Sequence, residues 1–503
     1  MSNLDLKKKT FYSIIWASIP IVIGFLINLG VFAVLARLLS PVEFGLYALA
    51  AGFFEFTKIV AVIGLTSAIV RRSELDEELA DTAFWANVAL SVLMTIATWF
   101  LAGPYSLFVN HEEVAPILRV LALIVPIAAF GAIHAARKLR EFGHKAIAGR
   151  MILGGAIGGS AGIVAALNGF GVWSFVIQLA VNELTASLVA WYAFPWLPRL
   201  RFSWTRLREI SRLATHLSIS QVSYLLLARA PEIIIGRFIG AAAVGGYRVA
   251  WRCVDLIAQA TVQPISNVSL VTFSRLQSDK LAFANAYRRM VGLAAMIGAP
   301  IFCGFAAVAK DLVPLLFGEK WADSAQIAQI LAAIFLPRII NILVNPALAS
   351  IGRSDMLLRI ALLQAPLLIV FLLIAVPFGL KAIAFAFVFR SYLILPHQLF
   401  VLKRAIGIEP MSVVRVILPP LVAALCMAGL IVATESFVRQ FAADRLSYVA
   451  VATLMGIPTY AALLLLFGRS FLMSQLRALR PVFEAQATTV PADPVALGKD
   501  LSA

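Results

Sequence analysis

Seven cations and four carboxylates stand in stretches of sequence that are otherwise apolar. The cations are Lys58, Arg119, Arg229, Arg248, Arg252, Arg338 and Arg390; the carboxylates are Glu55, Glu183, Glu232 and Asp255. A charge at mid-membrane depth costs about 2.5–3.5 kcal/mol on insertion scales, so such residues face a partner or a wet cavity. The densest group is Arg248, Arg252, Asp255, Gln259 and Gln263, at i, i+4, i+7, i+11 and i+15. On a helix these form one polar stripe. The stripe either lines a cavity or ties helices together through ion pairs.

The signs narrow the chemistry. Cations exceed anions by three, and the whole surplus lies in the second half, where five cations accompany Glu232 and Asp255. A positive interior suits an anionic ligand, because a guanidinium matches phosphate oxygens in pairs and stays ionised. The candidate substrate-binding residues are therefore Arg229, Arg248, Arg252, Arg338 and Arg390. Glu55, Lys58, Glu183, Glu232 and Asp255 are candidates for ion coupling or for cavity ion pairs. Glu55 with Lys58, and Asp255 with Arg252, are three apart on one helix face. Each pair is either a plain salt bridge or holds a carboxylate that titrates and couples transport to an ion gradient. Glu183 serves either helix packing or the cavity.

The elements that must position these residues are membrane helices. The chain has 503 residues, 61% of them apolar and 14% charged, against about 25% charged in an average soluble domain. That composition excludes a soluble enzyme, a disordered chain and a disulfide-stapled secreted domain. At about 20 residues per crossing, the apolar runs divide into fourteen helices near 11–36, 44–70, 82–103, 115–136, 147–167, 171–195, 213–236, 243–272, 289–314, 325–350, 356–376, 380–402, 412–434 and 447–468. Pro20, Pro126, Pro231, Pro264 and Pro366 fall inside them as expected bend points. Lys7, Lys8 and Lys9 before a long apolar run read as a retained first span rather than a cleaved signal.

The loops carry the orientation. With the N-terminus in the cytoplasm, inside segments hold 27 Lys and Arg and outside segments hold 7, the bias of the positive-inside rule. Both termini are then expected in the cytoplasm. This distribution also accounts for the net charge of +16 without nucleic acid. Cys253, Cys303 and Cys426 are far apart and read as small buried hydrophobes. No phosphate-binding GxxxxGK[ST] loop and no metal-ligand spacing is present, so no cofactor, metal or catalytic residue is expected. Gly154, Gly155, Gly158, Gly159 and Gly162 form overlapping GxxxG steps, read as close helix packing. No connection exceeds about twenty residues, which leaves no room for a catalytic domain.

The chain also repeats itself. ARLLSPVEFGLYALA at 36–50 matches GRFIGAAAVGGYRVA at 236–250, pairing Arg37 with Arg237, Gly45 with Gly245, Tyr47 with Tyr247 and Glu55 with Asp255. Both copies join an odd helix to an even one, so the repeat is parallel, as in two-lobed transporters. A weaker echo links 118–122 to 328–332. The expected fold is an all-α integral membrane protein of about fourteen transmembrane helices, with two six-helix lobes related by a parallel pseudo-two-fold repeat plus two extra C-terminal helices. The expected divisions are an N-lobe at 1–195, a basic cytoplasmic linker at 196–212, a C-lobe at 213–402, helices 13 and 14 at 403–470, and a cytoplasmic tail at 471–503.

VLARLLSPVEFGLYALA, followed by IVRRSELDEELADTAFWANVAL, resembles the bacterial polysaccharide transporter family, as does IIIGRFIGAAAVGGYRVAWR in the second half. These are O-antigen and exopolysaccharide flippases of the multidrug/oligosaccharidyl-lipid/polysaccharide exporter superfamily, and the likeness covers residues 5–470. It implies a bundle in the bacterial inner membrane that opens alternately to each face. Its implied substrate is a polyprenyl-diphosphate-linked oligosaccharide moved to the periplasmic leaflet. Membrane lipids, a polysaccharide polymerase and a chain-length regulator are the implied partners. The resemblance also implies a cationic cavity, with the five arginines as candidates. The alternatives are a cation-coupled multidrug exporter of the same superfamily, which would favour acidic residues, and a membrane polymerase or ligase. The latter would need a large outer loop with Arg or His; the loop GPYSLFVNHEEVAP has no Arg or Lys.

Overall fold

The computed structural model describes residues 23–72, 75–140, 144–442, 444–469 and 472–473. Lys7–Lys9, Pro20, the start of the first span and almost all of the tail lie outside the described residues.

Among the described residues fourteen helices, four of them broken, follow one another, with a short helix Glu435–Phe441 between the last two. They are α1 (Ile23–Leu38), α2 (Pro41–Lys58, then a π-helical turn Ile59–Ile63, then Gly64–Arg71), α3 (Glu77–Val109), α4 (Val114–Ala122 and Ile124–Arg140), α5 (His144–Leu167), α6 (Trp173–Ala193) and α7 (Trp204–Phe238). They continue as α8 (Ala241–Thr261 and Gln263–Arg275), α9 (Lys280–Phe317), α10 (Ala322–Ala332 and Phe335–Ser350), α11 (Ser354–Ala375), α12 (Gly379–Ile406), α13 (Pro410–Ala433) and α14 (Arg445–Phe467). Nine described helices are long and apolar enough to cross a membrane, or ten when the two pieces of α10, bent by 59°, are taken as one span. One of the nine, Asp355–Ile406, runs 52 residues, far more than one crossing needs; it holds both α11 and α12, which turn at Gly379 (φ +82°). α7 and α8 carry the polar and charged stripes and do not pass the apolarity test.

Local chemistry sets the helix ends. Ser40 caps α2 with a reciprocal Glu43 contact and Pro41 at the first position, satisfying donors that helix starts leave open. Asp76 caps α3, which runs past its expected end through GPYSLFV to Asn110 in the left-handed region (φ 65°). The expected GPYSLFVNHEEVAP loop is therefore helical at both ends, with 103–109 in α3 and 114–116 opening α4. α7 starts at Trp204, inside the expected linker. The preceding stretch is pinned to α3: Trp85 donates to Arg199 O (2.9 Å), and Asp81 and Thr82 accept from the N–H groups of Arg199 (3.0 Å) and Ser203 (3.1 Å). Pro231 and Pro366 sit inside unbroken helices, while Pro264 follows the break in α8 at Val262, where a lost N–H and ring crowding interrupt the ladder. Cys253 is buried, but Cys426 is exposed on α13 and so departs from the buried role expected of it.

The repeat is visible as geometry. Gly45 of α2 lies so close to α8 that a Cβ there would fall 1.8 Å from Ala241 O; a Cβ at Gly245 would fall 2.0 Å from Pro41 O. Positions 41 and 45 thus meet 241 and 245 reciprocally, as a two-fold contact requires. The weaker echo marks a shared helix break: α4 stops after Ala122 and α10 after Ala332. The carbonyls freed there are taken by neighbouring helices, Ala122 O by the Thr95 hydroxyl and Ala333 O by the Tyr392 hydroxyl, as an apolar surround demands. At the Ser40 end, Arg37 donates to Leu315 O and Leu316 O at the end of α9, while Lys320 and Trp321 donate to Arg37 O and Ala36 O at the end of α1. Each helix end supplies what the other lacks.

Candidate functional site

The intramembrane charges assemble mainly between helices rather than along them. Arg229 of α7 is the hub. Its Nη2 lies 2.6 and 2.7 Å from the two carboxylate oxygens of Glu55 on α2, and its Nη1 lies 3.1 Å from both oxygens of Glu232. Arg248 Nη1 on α8 reaches Glu232 Oε1 at 2.7 Å. A chain Glu55–Arg229–Glu232–Arg248 therefore crosses three helices, with Glu232 buried at its centre.

A second set joins α8 to α10: Arg338 Nη2 donates to Asp255 Oδ1 at 2.6 Å, and Gln259 to Asp255 Oδ2 at 2.6 Å. Lys58 of α2 pairs with buried Glu183 of α6. One expected pairing is thus corrected, and the other is present only as a long ion pair. Glu55 is held by Arg229 rather than Lys58, and Arg252 lies 3.9 Å from Asp255, which Arg338 holds more closely. An i,i+3 pair along one helix contributes only a few tenths of a kcal/mol, and a forked charge-assisted contact from a neighbouring helix outcompetes it. The π turn in α2 follows Lys58 directly, and such turns recur at functional positions. The α8 stripe holds as far as Gln259; Gln263 lies beyond the helix break and pairs with Asn267.

This geometry locates the charge surplus. Lys58, Arg229, Arg248 and Arg338 share the four carboxylates. Among the described residues Arg119 and Arg390 have no carboxylate at ion-pair distance, and Arg252 has only the long contact to Asp255. Arg119 lies over the Trp99 ring (5.9 Å), and Arg252 over Phe32 (5.6 Å). Arg390 is only 7% exposed, donates to the Ser391 hydroxyl at 3.2 Å, and has no partner for its Nε and Nη1. Buried guanidinium groups without an anion are costly to keep.

A cavity of about 170 Å³ opens between α1, α2, α6 and α8. Arg248 and Arg252 line one side. Asn28, Phe32, Phe44, Tyr47, Phe175, Gln178 and Asn182 line the rest. Arg229, Arg338 and Arg390 do not line it; the first two are tied to its arginine side through Glu232 and Asp255. The aromatic rings form a rigid cluster, with Tyr47 stacked on Phe175 at 4.5 Å and Phe44 edge-on to Trp321 at 5.0 Å. The amides escaped the sequence reading. Their signal was present: Gln178 and Asn182 are one helical turn apart in an apolar run, directly before Glu183. The glycine ridge on α5 explains their placement, because Gly158 and Gly162 let α6 approach until their hypothetical Cβ atoms would lie 2.8 Å from Asn182 Cβ and 2.7 Å from Gln178 Cβ. Among the described residues no cluster of His, Cys, Asp and Glu is arranged to hold a metal ion.

Known proteins place this architecture. The structure is similar to the lipid II flippase MurJ in an inward closed conformation, with a TM-score of 0.76 over 91% of this chain and all of that one, at 14% identity. In sequence the chain is 28% identical over 335 residues to the succinoglycan biosynthesis transport protein ExoT of Rhizobium meliloti, covering 66% of this chain and 67% of that one. It is 24% identical over 359 residues to the lipopolysaccharide biosynthesis protein WzxC of Escherichia coli, covering 70% and 72%. The family model described as polysaccharide biosynthesis protein matches residues 34–326, the stretch that holds both copies of the repeat, all of the cavity lining but Asn28 and Phe32, and the Glu55–Arg229–Glu232–Arg248 chain. With more than half its length under that model, the chain belongs to the polysaccharide biosynthesis protein family.

Proposed function

We propose that this protein is a flippase that moves a polyprenyl-diphosphate-linked oligosaccharide across the membrane by alternating access. The observation that carries this reading is the surplus of guanidinium groups in a membrane interior. Seven cations share four carboxylates, so charge is left for a ligand to meet, at Arg390 and Arg119 and at Arg252 with its one long contact to Asp255. A diphosphate supplies it, and forked guanidinium contacts suit its oxygens. In this reading Arg248 and Arg252 grip the diphosphate, with Arg229, Arg338 and Arg390 assisting, while the lipid tail stays in the bilayer. An exporter of organic cations would need carboxylates in excess, the opposite balance.

The two lobes are 1–195 and 213–402, and the reciprocal Gly45 and Gly245 contacts support their relation by a two-fold axis. Both termini are cytoplasmic and the membrane is the inner one, as the bias of basic loops supports. The Ser40 end, closed here, then faces the periplasm. A polysaccharide polymerase and a chain-length regulator act on the product at that face.

The test is mass spectrometry of polyprenyl-linked intermediates in cells lacking the protein. A diphosphate-linked oligosaccharide should accumulate while surface polymer is lost. Arg252→Ala should reproduce that phenotype at normal protein levels. Unchanged intermediates and polymer in the deletion would refute the transport reading, and unchanged export in a well-expressed Arg252→Ala protein would refute the arginine's role.

A further inference from the structure

The cavity has two chemically different walls. One is the guanidinium pair Arg248 and Arg252 on α8. The other carries the amides of Gln178 and Asn182 on α6 and the hydroxyl of Tyr47 on α2. No hydrogen bond among the described residues engages these three polar ends, and the three side chains are only half-buried at the cavity, so their hydrogen-bonding capacity is open to a ligand. The groups are also held firmly. The α5 glycine ridge seats the Cβ atoms of Gln178 and Asn182, and Phe175 stacks beneath Tyr47.

The result is an array of donors and acceptors beside aromatic faces, with no charge of its own; the Asn182 amide oxygen packs toward Gly154 of α5, so that residue offers chiefly its amide donors. The Gln178 amide offers two donors and one acceptor oxygen, and the phenol offers one of each. Such a surface matches a neutral molecule dense in hydroxyl groups. It does not match a phosphate, which would turn to the arginines.

We propose that Gln178, Asn182 and Tyr47 form a sugar-binding subsite, which holds the ring attached to the diphosphate while Arg248 and Arg252 hold the diphosphate itself. The three polar side chains and the two arginines line one cavity of about 170 Å³, so the sugar that reaches the subsite is the one joined directly to the diphosphate. This assignment rests on the transport reading above and adds to it the residues that set sugar preference.

The test uses the purified full-length protein and two probes. One is a short-chain polyprenyl diphosphate without sugar. The other is the glycosylated lipid extracted from cells lacking the protein. Gln178→Met, Asn182→Leu and Tyr47→Phe keep a Cβ and most of the shape while removing the polar ends. In the triple variant the Kd for the glycosylated lipid should rise at least about tenfold, the scale of a few lost hydrogen bonds, with the bare diphosphate bound as before. Arg252→Ala should weaken both probes. The subsite is overturned if the triple variant binds the glycosylated lipid as tightly as the parent, or loses both probes equally. Should the triple variant fail to fold, Tyr47→Phe and Gln178→Met alone decide by the same selective loss. A parent protein that binds neither probe refutes the transport reading itself, and the subsite with it.

Discussion

Placing one methyl group at Gly45 should unseat the closed Ser40 end. In the structure that methyl would stand 1.8 Å from Ala241 O, a backbone atom that cannot swing aside, so α2 and α8 must part by about 1.5 Å to reach ordinary contact. Overpacking of this kind costs about 1–3 kcal/mol. The cost falls only on the arrangement in which the two helices touch, so the population should move away from it by about 5–150-fold. The reciprocal contact adds a sharper expectation. Gly245→Ala should act equally, and the double variant should cost little more than either single one, because the gap opened for one methyl admits the other. The assay is labelling of Ala48→Cys, in a chain with Cys253, Cys303 and Cys426 replaced, by a membrane-impermeant maleimide on intact cells. Ala48 lines the cavity and is 1% exposed, so the parent should label slowly and the Gly45→Ala protein several-fold faster. Unchanged labelling at normal yield, or fully additive effects in the double variant, would refute the reasoning.

Arg229→Ala should lower the thermal stability of the purified protein by about 3–5 kcal/mol, because it leaves Glu55 without its cation and Glu232 with Arg248 alone; adding Glu55→Gln and Glu232→Gln should recover most of it, and thermal unfolding in detergent reads both. Arg390→Leu should leave Tm unchanged or raise it, since no carboxylate loses a partner, while export of surface polymer falls; a drop in Tm would mean that the guanidinium is structural.

The charged residues of the interior were legible because a charge in an apolar run has few acceptable places, and the structure sets all ten candidates among helices or beside the cavity. Their partners were less so. Glu55 with Lys58 is the pair that spacing suggests, but only the approach of α7 reveals Arg229. The repeat was legible as letters, and only coordinates show that its glycines face each other. Gln178 and Asn182 were passed over because an amide on a membrane helix more often bridges to a neighbouring helix, and nothing local says that these two reach empty space. The break in α4 at Leu123 lies three residues before Pro126, an expected bend point whose missing N–H frees Ala122 O; only the Thr95 hydroxyl that takes this carbonyl, 27 residues away, falls outside any short window.

The crossed contacts at the Ser40 end carry a consequence for how that end opens. Arg37, Lys320 and Trp321 hold α1 and α9 together by donating to the last carbonyls of the opposite helix. When the ends separate, every one of those carbonyls is orphaned at once. In hydrocarbon each would be expensive, whereas water replaces a protein hydrogen bond at small net cost. The seam is therefore soluble rather than merely weak: it can dissolve into an aqueous mouth but cannot split sideways into lipid. The same few bonds that shut the protein also dictate which medium it opens to.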